Sequence, residues 1–406
     1  MPPPAEADPK IAHLLHWLEQ GGASFPKIHV VSLGGGERGI FARTDIAAEE
    51  PILRVSRQYF ITAETARASD MGRALEAHAK LDKDVSYLLP FLLQERERGE
   101  RSPWKPQLDV LPRSFPTHPY FFQEEELALL KGSFLRELVD IQRRSLAAEH
   151  ASLCERVPGF DRFSLDDFAW AHFSVVSRTF GVKQDGRQVE CQVPLADMIN
   201  DGRPYTVKWG LSEDGQYFEM KALGEIPAGT ELQTSYGAKS NLTLMLYYGF
   251  VHENNVDNEV SFALGVPSET PLAEQRRRLL GLTEPSERKR FQLTLNFQPA
   301  VMDELFFFLR VLHTDAEDLA RLQAAPDARA KAGGFMNPIN MMKVAPAFAA
   351  LCKGLLAGYE TSLEEDERLL QQGGLSLNAR NCILLRRGEK RILTTYAQAY
   401  AGMATG

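Results

Sequence analysis

Strand-like and helix-like segments alternate in four long blocks along this chain, and this order constrains its fold more than any other feature. Short apolar runs bounded by turn signals fill residues 27–55 and again 189–236, whereas residues 62–175 and those from about 270 onward have apolar residues at helical spacing. In the last block, only residues 382–385 offer a strand-like run. Two β-rich blocks on either side of a helical block suggest one β core that the helical block interrupts. The expected fold class is therefore α+β, with an all-α domain at the C-terminal end.

The charge balance bounds the classes of partner. The chain has a formal net charge of −8, which argues against a nucleic-acid binder because neutralising phosphates requires clustered cations. One basic cluster exists, at residues 276–278 with further cations at 288–290. We interpret this cluster as a solvated helix face, and the alternative is a docking patch for an acidic protein surface.

Length and cysteine usage bound the compartment and the number of domains. The 406 residues are enough for two or three domains, no apolar run is long enough to cross a bilayer, and no secretory signal is visible at the start. The spacing of a zinc site is absent, and four scattered cysteines do not make a disulfide framework. We therefore expect a soluble intracellular protein without membrane contact or metal, in which these residues are reduced: Cys154, Cys191, Cys352 and Cys382.

A glycine-rich segment at residues 34–39 matches the G-x-G-x-x-G pattern of dinucleotide-binding sites. Such a site needs a long helix that begins at the last glycine, so that its N-terminus faces the pyrophosphate. Here residues 40–46 have the pattern of a strand and a turn instead. The segment therefore favours a glycine-rich turn between two strands, whose amides can approach a small molecule closely, over a nicotinamide-dependent enzyme, which stays the more distant alternative.

Four further motifs follow in a fixed order, although each of them alone also fits an ordinary turn or core. They are S-R-T-F at 177–180, P-L-A-D-M-I-N at 194–200, E-L-Q-T-S-Y-G-A-K-S-N at 231–241 and Y-Y-G-F at 247–250. Together with G-E-R-G-I-F-A at 36–42, this order resembles the SET-domain branch that contains the Rubisco large-subunit lysine methyltransferase. Relatives in that branch include non-histone lysine methyltransferases and an actin-histidine methyltransferase. The resemblance extends from about residue 25 to 395.

The resemblance implies a domain organisation. An N-terminal tail and helix at 1–24 would precede a SET core at about 25–260, with a helical insert at about 62–170. A helical substrate-binding domain of the Rubisco LSMT type would follow at 265–400 and grip a protein substrate, and the protein would be a monomer. The core would contain a knot-like crossing, in which a C-terminal β segment threads under a loop, an arrangement rare in proteins generally.

The resemblance also implies S-adenosylmethionine as the cofactor. Arg178 would hold the cofactor carboxylate with its planar guanidinium, Phe250 would pack near the adenine, and Tyr236 would be the catalytic tyrosine beside the transferred methyl. Phe180, Tyr205 and Tyr248 would wall the substrate channel. The implied cofactor contacts are Gly36, Glu37, Arg38, Gly39, Arg178, Asp197, Asn200, Asp201, Tyr236 and Phe250.

Two positions depart from the pattern of the family. Asp201 stands where the family usually has histidine, and Arg38 stands where many relatives have a small or apolar residue. These departures leave open a SET-fold binding protein that has lost catalysis and uses its helical arm as an interaction surface. Retention of Arg178, Asn200 and Tyr236 argues for an enzyme.

The acceptor side chain follows from the chemistry of the channel. Methyl transfer from a sulfonium is an in-line displacement, and a lysine nucleophile, with a free pKa of about 10.4, must first lose its proton. An apolar channel favours the neutral amine by desolvation. In the histidine-modifying relative, a polar residue and a tryptophan line the channel, whereas Phe180, Leu195 and Ala196 stand in those regions here, as in lysine-modifying members. We therefore expect lysine methylation of a non-histone protein, with protein-histidine methylation as the alternative.

Overall fold

The computed structural model describes residues 8–34, 36–184, 186–296, 298–324 and 338–402. The chain forms two compact units, each built from two stretches of sequence. The first unit comprises Met1–Phe115 and Gln142–Ala238, and the second comprises Pro116–Ile141 and Lys239–Gly406. The predicted α+β class is confirmed. The tail predicted before residue 8 lies outside the described residues, as do residues 325–337 of the predicted C-terminal domain.

The first unit begins with the helix that the apolar spacing predicts, α1 (Pro9–Gln20). The side chain of Asp8 caps this helix by accepting a hydrogen bond from the Lys10 amide at 2.9 Å. Proline at the first helical position needs no hydrogen-bond partner for its nitrogen, which also favours a helix start there. One face of α1 is fully buried in the core of the unit, through Ile11, Leu14 and Leu18.

The sheets of the first unit combine strands from both β-rich blocks. The strands are β1 (Ile28–Gly34), β2 (Glu37–Ala42), β3 (Pro51–Ser56), β4 (Ile61–Thr62), β5 (Thr179–Gln184), β6 (Arg187–Gln192), β7 (Asn200–Asp201), β8 (Val207–Leu211), β9 (Tyr217–Ala222) and β10 (Glu231–Thr234). They form sheets in the orders β1-β2-β10-β7, β3-β9-β8 and β4-β6-β5. Each sheet thus pairs an early strand with a late one, which confirms that the two blocks build one core.

The helical block between these strands consists of α2 (Ala63–Ala68), α3 (Asp70–His78), α4 (Leu88–Arg98), α5 (Lys105–Val110), α6 (Glu124–Ala128), α7 (Phe134–Arg156) and α8 (Leu165–Val176). The boundary between the units falls inside α7, after Ile141. Ser164 and Asp167 form a capping box at the start of α8. The end of α8 places Arg178 one residue before β5.

The second unit contains α9 (Asn241–Tyr248), β11 (Glu259–Leu264), α10 (Ala273–Leu280), β12 (Lys289–Thr294), α11 (Pro299–His313), α12 (Ala316–Ala324), α13 (Pro338–Ala357), α14 (Leu363–Gln372) and α15 (Leu377–Gly402). It differs from the all-α prediction because β11 and β12 pair antiparallel, with Glu259 opposite Thr294. The strand predicted at residues 382–385 is also wrong, since this run lies inside α15. All four side chains are at most 2% exposed, so a helix buried on several sides shows no amphipathic pattern there.

The basic cluster at residues 276–278 is not uniformly solvated, which corrects the interpretation of a plain helix face. Arg276 is buried, and burial lowers the pKa of its guanidinium. In place of a carboxylate, that guanidinium donates to three backbone carbonyls, those of Pro271, Val311 and Thr314. Only Arg278 fits the predicted role, because it is exposed and pairs with Glu274 one helical turn earlier.

A buried ion cluster lies inside the second unit, between α14 and α15. Asp366 is fully buried and accepts hydrogen bonds from Arg386 Nε at 2.9 Å and Lys390 Nζ at 2.7 Å. Both cations are also buried, with Arg386 4% and Lys390 1% exposed. Burial lowers the pKa of Lys390, and the bond to Asp366 opposes that shift. One carboxylate therefore compensates two cations in the core of this unit.

Glu389, the residue beside this cluster on α15, gives the second unit a pH dependence. Its carboxyl is fully buried and accepts from Ser133 at 2.8 Å and Tyr359 at 3.0 Å. Burial raises its pKa to about 8, against the bonds from those two hydroxyls and the charge of Lys390, whereas Glu259 pushes it upward. At neutral pH the folded protein thus holds a proton that the unfolded chain has released.

We expect the free energy of unfolding of the second unit to fall as the pH rises from about 5 to about 8, with a slope near 1.4 kcal/mol per pH unit for one proton. The stabilisation is fully present below the pKa of the unfolded carboxyl and is lost through the folded value. Urea denaturation at several pH values would measure it. In Glu389→Gln, which is neutral throughout, this slope should disappear, and an unchanged slope would contradict the assignment.

Among the described residues, no three histidine, cysteine, aspartate or glutamate side chains form a group that could hold a metal ion. No helix in the described ranges is both long and apolar enough to span a bilayer.

All four cysteines are free thiols. Burial raises the pKa to about 12 for Cys191, Cys352 and Cys382, so these three are structural rather than reactive.

Candidate active site

The glycine-rich turn lies in the hairpin between β1 and β2, as its sequence predicts. Gly36 has a φ of +89°, a conformation that favours glycine, and both Gly36 and Glu37 are exposed. Gly39 lies opposite Val31 and is buried. A Cβ atom at Gly39 would lie 2.6 Å from Oε1 of Glu231, so a larger residue cannot fit without a shift of that carboxylate. The hairpin therefore lies tightly against β10.

Arg178 and Asp197 form the charged centre of the candidate site. Nη1 of Arg178 donates to the backbone oxygen of Asp197 at 2.8 Å and lies 3.7 Å from its carboxylate oxygen Oδ2. The Asp197 side chain is only 1% exposed and also accepts from Gln107 at 2.9 Å. Burial raises the pKa of Asp197, and the charge of Arg178 and the bond from Gln107 oppose that shift.

Arg38 brings a second guanidinium to the same charged centre. Its pKa is lowered by burial first and by the charge of Arg178 second, while Asp197 raises it. The guanidinium donates to the backbone oxygen of Val110 at the end of α5. Two cations therefore act on the buried carboxylate of Asp197, and the exposed carboxylate of Asp8 acts on Arg38 as well. A buried centre with two guanidinium groups and one buried carboxylate suits a ligand that carries a carboxylate.

Three buried polar atoms at this centre have no hydrogen-bond partner among the described residues, namely Nε of Arg178, Oδ1 of Asp197 and Oε1 of Gln107. Buried polar groups are nearly always hydrogen-bonded, so each unpaired atom calls for a partner. A free guanidinium N–H fits an anionic ligand group, and a free carboxylate oxygen fits a donor such as an ammonium. An amino-acid moiety offers both groups.

Asn200 lies on the edge strand β7 and connects it to the two inner strands of its sheet, β2 and β10. Its side-chain nitrogen donates to the Arg38 backbone oxygen at 2.9 Å and to Glu231 Oε1 at 2.8 Å. The strand that carries it, β7, runs parallel to β10, with Asn200 opposite Gln233. One amide thus fixes the distance between the glycine turn and the segment that contains Asp197.

Tyr236 is held at both of its ends by the segment just before and within β7. Its backbone N–H donates to Oδ1 of Asp201 at 2.6 Å, and its hydroxyl donates to the Ile199 backbone oxygen at 2.8 Å. The carboxylate of Asp201 is largely buried, since the residue is 8% exposed. The predicted catalytic tyrosine and the residue that departs from the family pattern are therefore direct neighbours.

The predicted wall residues have different surroundings. Phe180 is buried on β5, and its ring centroid lies 5.1 Å from that of Trp209 and 4.9 Å from that of Phe218. Ala196 is fully buried beside Asp197, whereas Tyr205 is 48% exposed. Phe180 and Ala196 are thus set in an apolar cluster, and a wall role for any of these residues stays a prediction.

Tyr248 and Phe250 belong to the second unit. Tyr248 is the last residue of α9, which Gly249 ends with a φ of +76°. The Phe250 ring centroid lies 6.3 Å from that of Tyr248 and 5.4 Å from that of His252. In the first unit, printed contacts thus link Arg178 to Asp197, Asn200 to Arg38, and Tyr236 to Asp201. The roles of all the sequence-predicted site residues, including Tyr248 and Phe250, stay predictions.

Two residues that contact this site, Gln107 and Glu231, were not among the sequence-predicted site residues. Glu231 begins the E-L-Q-T-S-Y-G motif, and the alternation of polar and apolar residues along β10 indicates that its side chain shares a face with Gln233. That alternation is a signal that the sequence itself carries. Gln107 lies in a proline-broken helical segment, and no sequence signal connects it to Asp197.

Two family models match this chain in sequence. The family model of the SET domain matches residues 37–237, and the family described as Rubisco LSMT substrate-binding matches residues 267–393. Among solved structures, Rubisco LSMT bound to AdoMet is 25% identical, with a TM-score of 0.79, over 98% of this chain and 92% of that chain. The SET domain of LSMT bound to lysine and AdoHcy has a TM-score of 0.82 at 24% identity, covering 97% of this chain and 91% of that chain.

Among curated proteins, the chain is similar to actin-histidine N-methyltransferases. That of Homo sapiens is 29% identical over 398 residues, 94% of this chain and 66% of the relative. That of Plecturocebus moloch is 28% identical over 407 residues, 96% of this chain and 68% of the relative. The chain thus spans about two thirds of the length of these relatives. Their names favour the histidine alternative over the predicted lysine specificity.

The two family matches fall in the order that the motifs predict, and the fold is that of LSMT over nearly the whole chain. The predicted resemblance is thereby confirmed. A SET domain followed by a substrate-binding domain also supports a protein as the substrate. The chain belongs to the SET-domain protein methyltransferases, in the branch that carries a Rubisco LSMT substrate-binding domain.

Proposed function

We propose that this chain transfers a methyl group from S-adenosylmethionine to a side-chain nitrogen of a protein, and that histidine is the acceptor to test first. The observation that carries the proposal is the pair of buried unpartnered atoms, Arg178 Nε and Asp197 Oδ1, beside the glycine turn. An amino-acid moiety would satisfy both atoms, with its carboxylate on the guanidinium and its ammonium on the aspartate. The residues present therefore fit the methionine part of the cofactor.

When bound, S-adenosylmethionine supplies an electrophilic methyl group on a positively charged sulfur. Tyr236 is suited to align the acceptor and not to move a proton. Its hydroxyl hydrogen is already donated to the Ile199 carbonyl, which leaves only the oxygen lone pairs to face other groups. Positioning of this kind can supply much of the rate enhancement of a displacement reaction.

Histidine as the acceptor is supported by the curated relatives, whose names specify it and whose similarity covers 94–96% of this chain. Histidine also fits a site in which Tyr236 does not act as a base, because the attacking imidazole nitrogen of neutral histidine carries no proton. An unperturbed imidazole has a pKa of about 6.5, so a large part of it is neutral at pH 7 and needs no base before it attacks.

Lysine is the second candidate, and the residues at positions 180 and 196 favour it. Phe180 packs on Trp209 and Phe218, and Ala196 is fully buried, so both positions are apolar. An apolar wall suits a lysine stem, whereas an imidazole ring needs a hydrogen-bond partner for its second nitrogen. The acceptor depends on the few residues that line the channel. Sequence identity over the whole chain gives these residues no more weight than any others.

A labelling experiment separates the two acceptors even while the protein substrate is unidentified. Actin, Rubisco and a methyl-deficient cell extract would be incubated with the protein and methyl-tritiated S-adenosylmethionine, and the acid hydrolysate analysed for methylhistidine and methyllysine. Labelled methylhistidine supports the proposal, and methyllysine replaces it with the second candidate. No label in any of the three, from folded protein that binds the cofactor, would overturn a methyltransferase function.

The pH dependence of kcat/KM gives an independent check on the acceptor. For histidine, kcat/KM should rise through a pKa of about 6.5 and then level off, because only the neutral ring attacks. For lysine it should keep rising toward a pKa of about 10.4. The profile is measured on a peptide that contains the labelled site, with cofactor saturating.

A further inference from the structure

The segment of residues 199–203 runs beside residues 234–237 and contacts them at successive points. Gly202 donates its backbone N–H to Thr234 at 3.0 Å, and Arg203 donates from its guanidinium to the backbone oxygen of Gly237 at 3.0 Å. Two further bonds join the same segments and hold Tyr236. Its N–H donates to the Asp201 carboxylate, and its hydroxyl donates to the Ile199 backbone oxygen. Each of these contacts except one uses a backbone acceptor.

The exception is the carboxylate of Asp201. The Asp201 side chain is short and largely buried. Its Oδ1 lies 2.6 Å from the Tyr236 amide nitrogen, from which it accepts a hydrogen bond. A charged acceptor makes a stronger hydrogen bond than a neutral one, and burial removes the competing water. Tyr236 lies two residues beyond the end of β10, so its amide is outside the sheet ladder. The Asp201 carboxylate holds the backbone at this point.

We propose that Asp201 is the positioning residue for Tyr236: its carboxylate fixes the tyrosine backbone, and Ile199 then fixes the phenol. This rests on the proposed function, in which Tyr236 lies beside the transferred methyl. It also changes the interpretation of the departure from the family pattern. An imidazole at position 201 could accept the same amide through a ring nitrogen, so aspartate keeps an acceptor while it replaces a histidine.

The first test reads the geometry and does not require methyl transfer. The protein labelled with ¹⁵N-tyrosine gives one amide signal for each of its 11 tyrosines, and Tyr236→Phe identifies the signal of Tyr236 by its loss. In Asp201→Ala, we expect hydrogen exchange of this amide to accelerate at least about 10-fold, with little change at the other tyrosines. In Asp201→Asn, which keeps an acceptor oxygen, the acceleration should be smaller. Equal exchange in wild type and Asp201→Ala would overturn the proposal.

The second test reads the consequence for the reaction, on the acceptor identified by labelling. In Asp201→Ala, kcat should fall about 10- to 100-fold, because the tyrosine is displaced without loss of the binding groups. All three variants keep the backbone of residue 201, so a cofactor contact through that backbone is retained. The Kd for S-adenosylmethionine, measured by calorimetry, should therefore change less than about 3-fold, and Asp201→Asn and Asp201→His should each recover part of kcat. A fall confined to cofactor affinity, or no recovery in Asp201→Asn, would overturn the positioning role.

Asp45→Ala is the matched control. The carboxylate of Asp45 also accepts a backbone N–H, that of Ala228, at 2.9 Å, but it lies in an exposed turn outside the candidate site. The Asp45→Ala variant should have a lower melting temperature than wild type, with unchanged kcat and an unchanged hydrogen-exchange rate of the Tyr236 amide. Should wild type bind cofactor yet methylate nothing, the proposed function fails by itself, and the exchange data still decide whether Asp201 holds Tyr236.

Discussion

Replacing Arg178 by alanine should weaken the binding of S-adenosylmethionine by at least about 100-fold, because it removes a charged partner from a buried site. Nε of this guanidinium is buried without a hydrogen-bond partner among the described residues, and the guanidinium also compensates the buried carboxylate of Asp197. Without Arg178, the ionised form of the Asp197 carboxylate loses a positive charge that stabilises it. Isothermal titration with the cofactor and with its demethylated product would measure the effect.

Two further variants make this result specific. Arg178→Lys keeps the charge but not the planar fork, so it should recover only part of the affinity. Arg187→Ala removes an exposed arginine at the start of β6 and should bind the cofactor as wild type does. A Kd for Arg178→Ala within about 3-fold of wild type, in protein of unchanged melting temperature, would exclude Arg178 from the cofactor site.

The largest loss of stability is expected for Asp366→Ala in the second unit. The substitution leaves Arg386 and Lys390 buried without their carboxylate, and breaking a buried ion pair in this way costs about 3–5 kcal/mol. Thr361, whose hydroxyl also donates to Asp366 at 2.8 Å, loses its acceptor too. Urea denaturation followed by circular dichroism would measure the change in the free energy of unfolding.

Glu367→Ala is the matched control for that experiment. Glu367 is the next residue on α14 and pairs with Arg391 on α15 at 2.6 Å, but both side chains are at least 40% exposed. An exposed ion pair contributes less than about 1 kcal/mol. Equal changes in the free energy of unfolding for Asp366→Ala and Glu367→Ala would mean that burial does not strengthen the ion cluster around Asp366.

Local signals in the sequence were sufficient for much of the first unit. Asp8 and Pro9 mark the start of α1, and the glycine turn with its following strand correctly indicated a hairpin and not a nucleotide-binding helix. These predictions succeed because capping, turn conformation and apolar spacing act over a few neighbouring residues. The motifs likewise indicated the family, since their order along the chain is specific to it.

Interactions between distant residues were not predictable in the same way. Asp366 and Lys390 are 24 positions apart, and Asn200 and Arg38 are 162 apart, so no periodicity connects them. Burial also overrides local patterns, as for Arg276, whose neighbours suggest a solvated face although its guanidinium is buried on carbonyl oxygens. The acceptor specificity depends on both kinds of information, namely wall residues such as Phe180 and the fold that surrounds them.

The bond between Gly202 and Thr234 also bears on how the protein ages chemically. Asp201 and Gly202 form an aspartyl-glycyl pair, which among aspartyl sequences is the one whose following backbone nitrogen most readily attacks the side chain. The attack expels water and gives a cyclic imide, and hydrolysis of the imide then gives isoaspartate. Glycine is required there because a Cβ atom would overlap the side chain of Gln233. In the folded unit the Gly202 nitrogen is committed to Thr234 and the Asp201 carboxylate to Tyr236, so neither reactant is available to the other. Local opening of this segment removes both restraints at once, and damage to the residue that orients the tyrosine therefore depends on how often the segment opens.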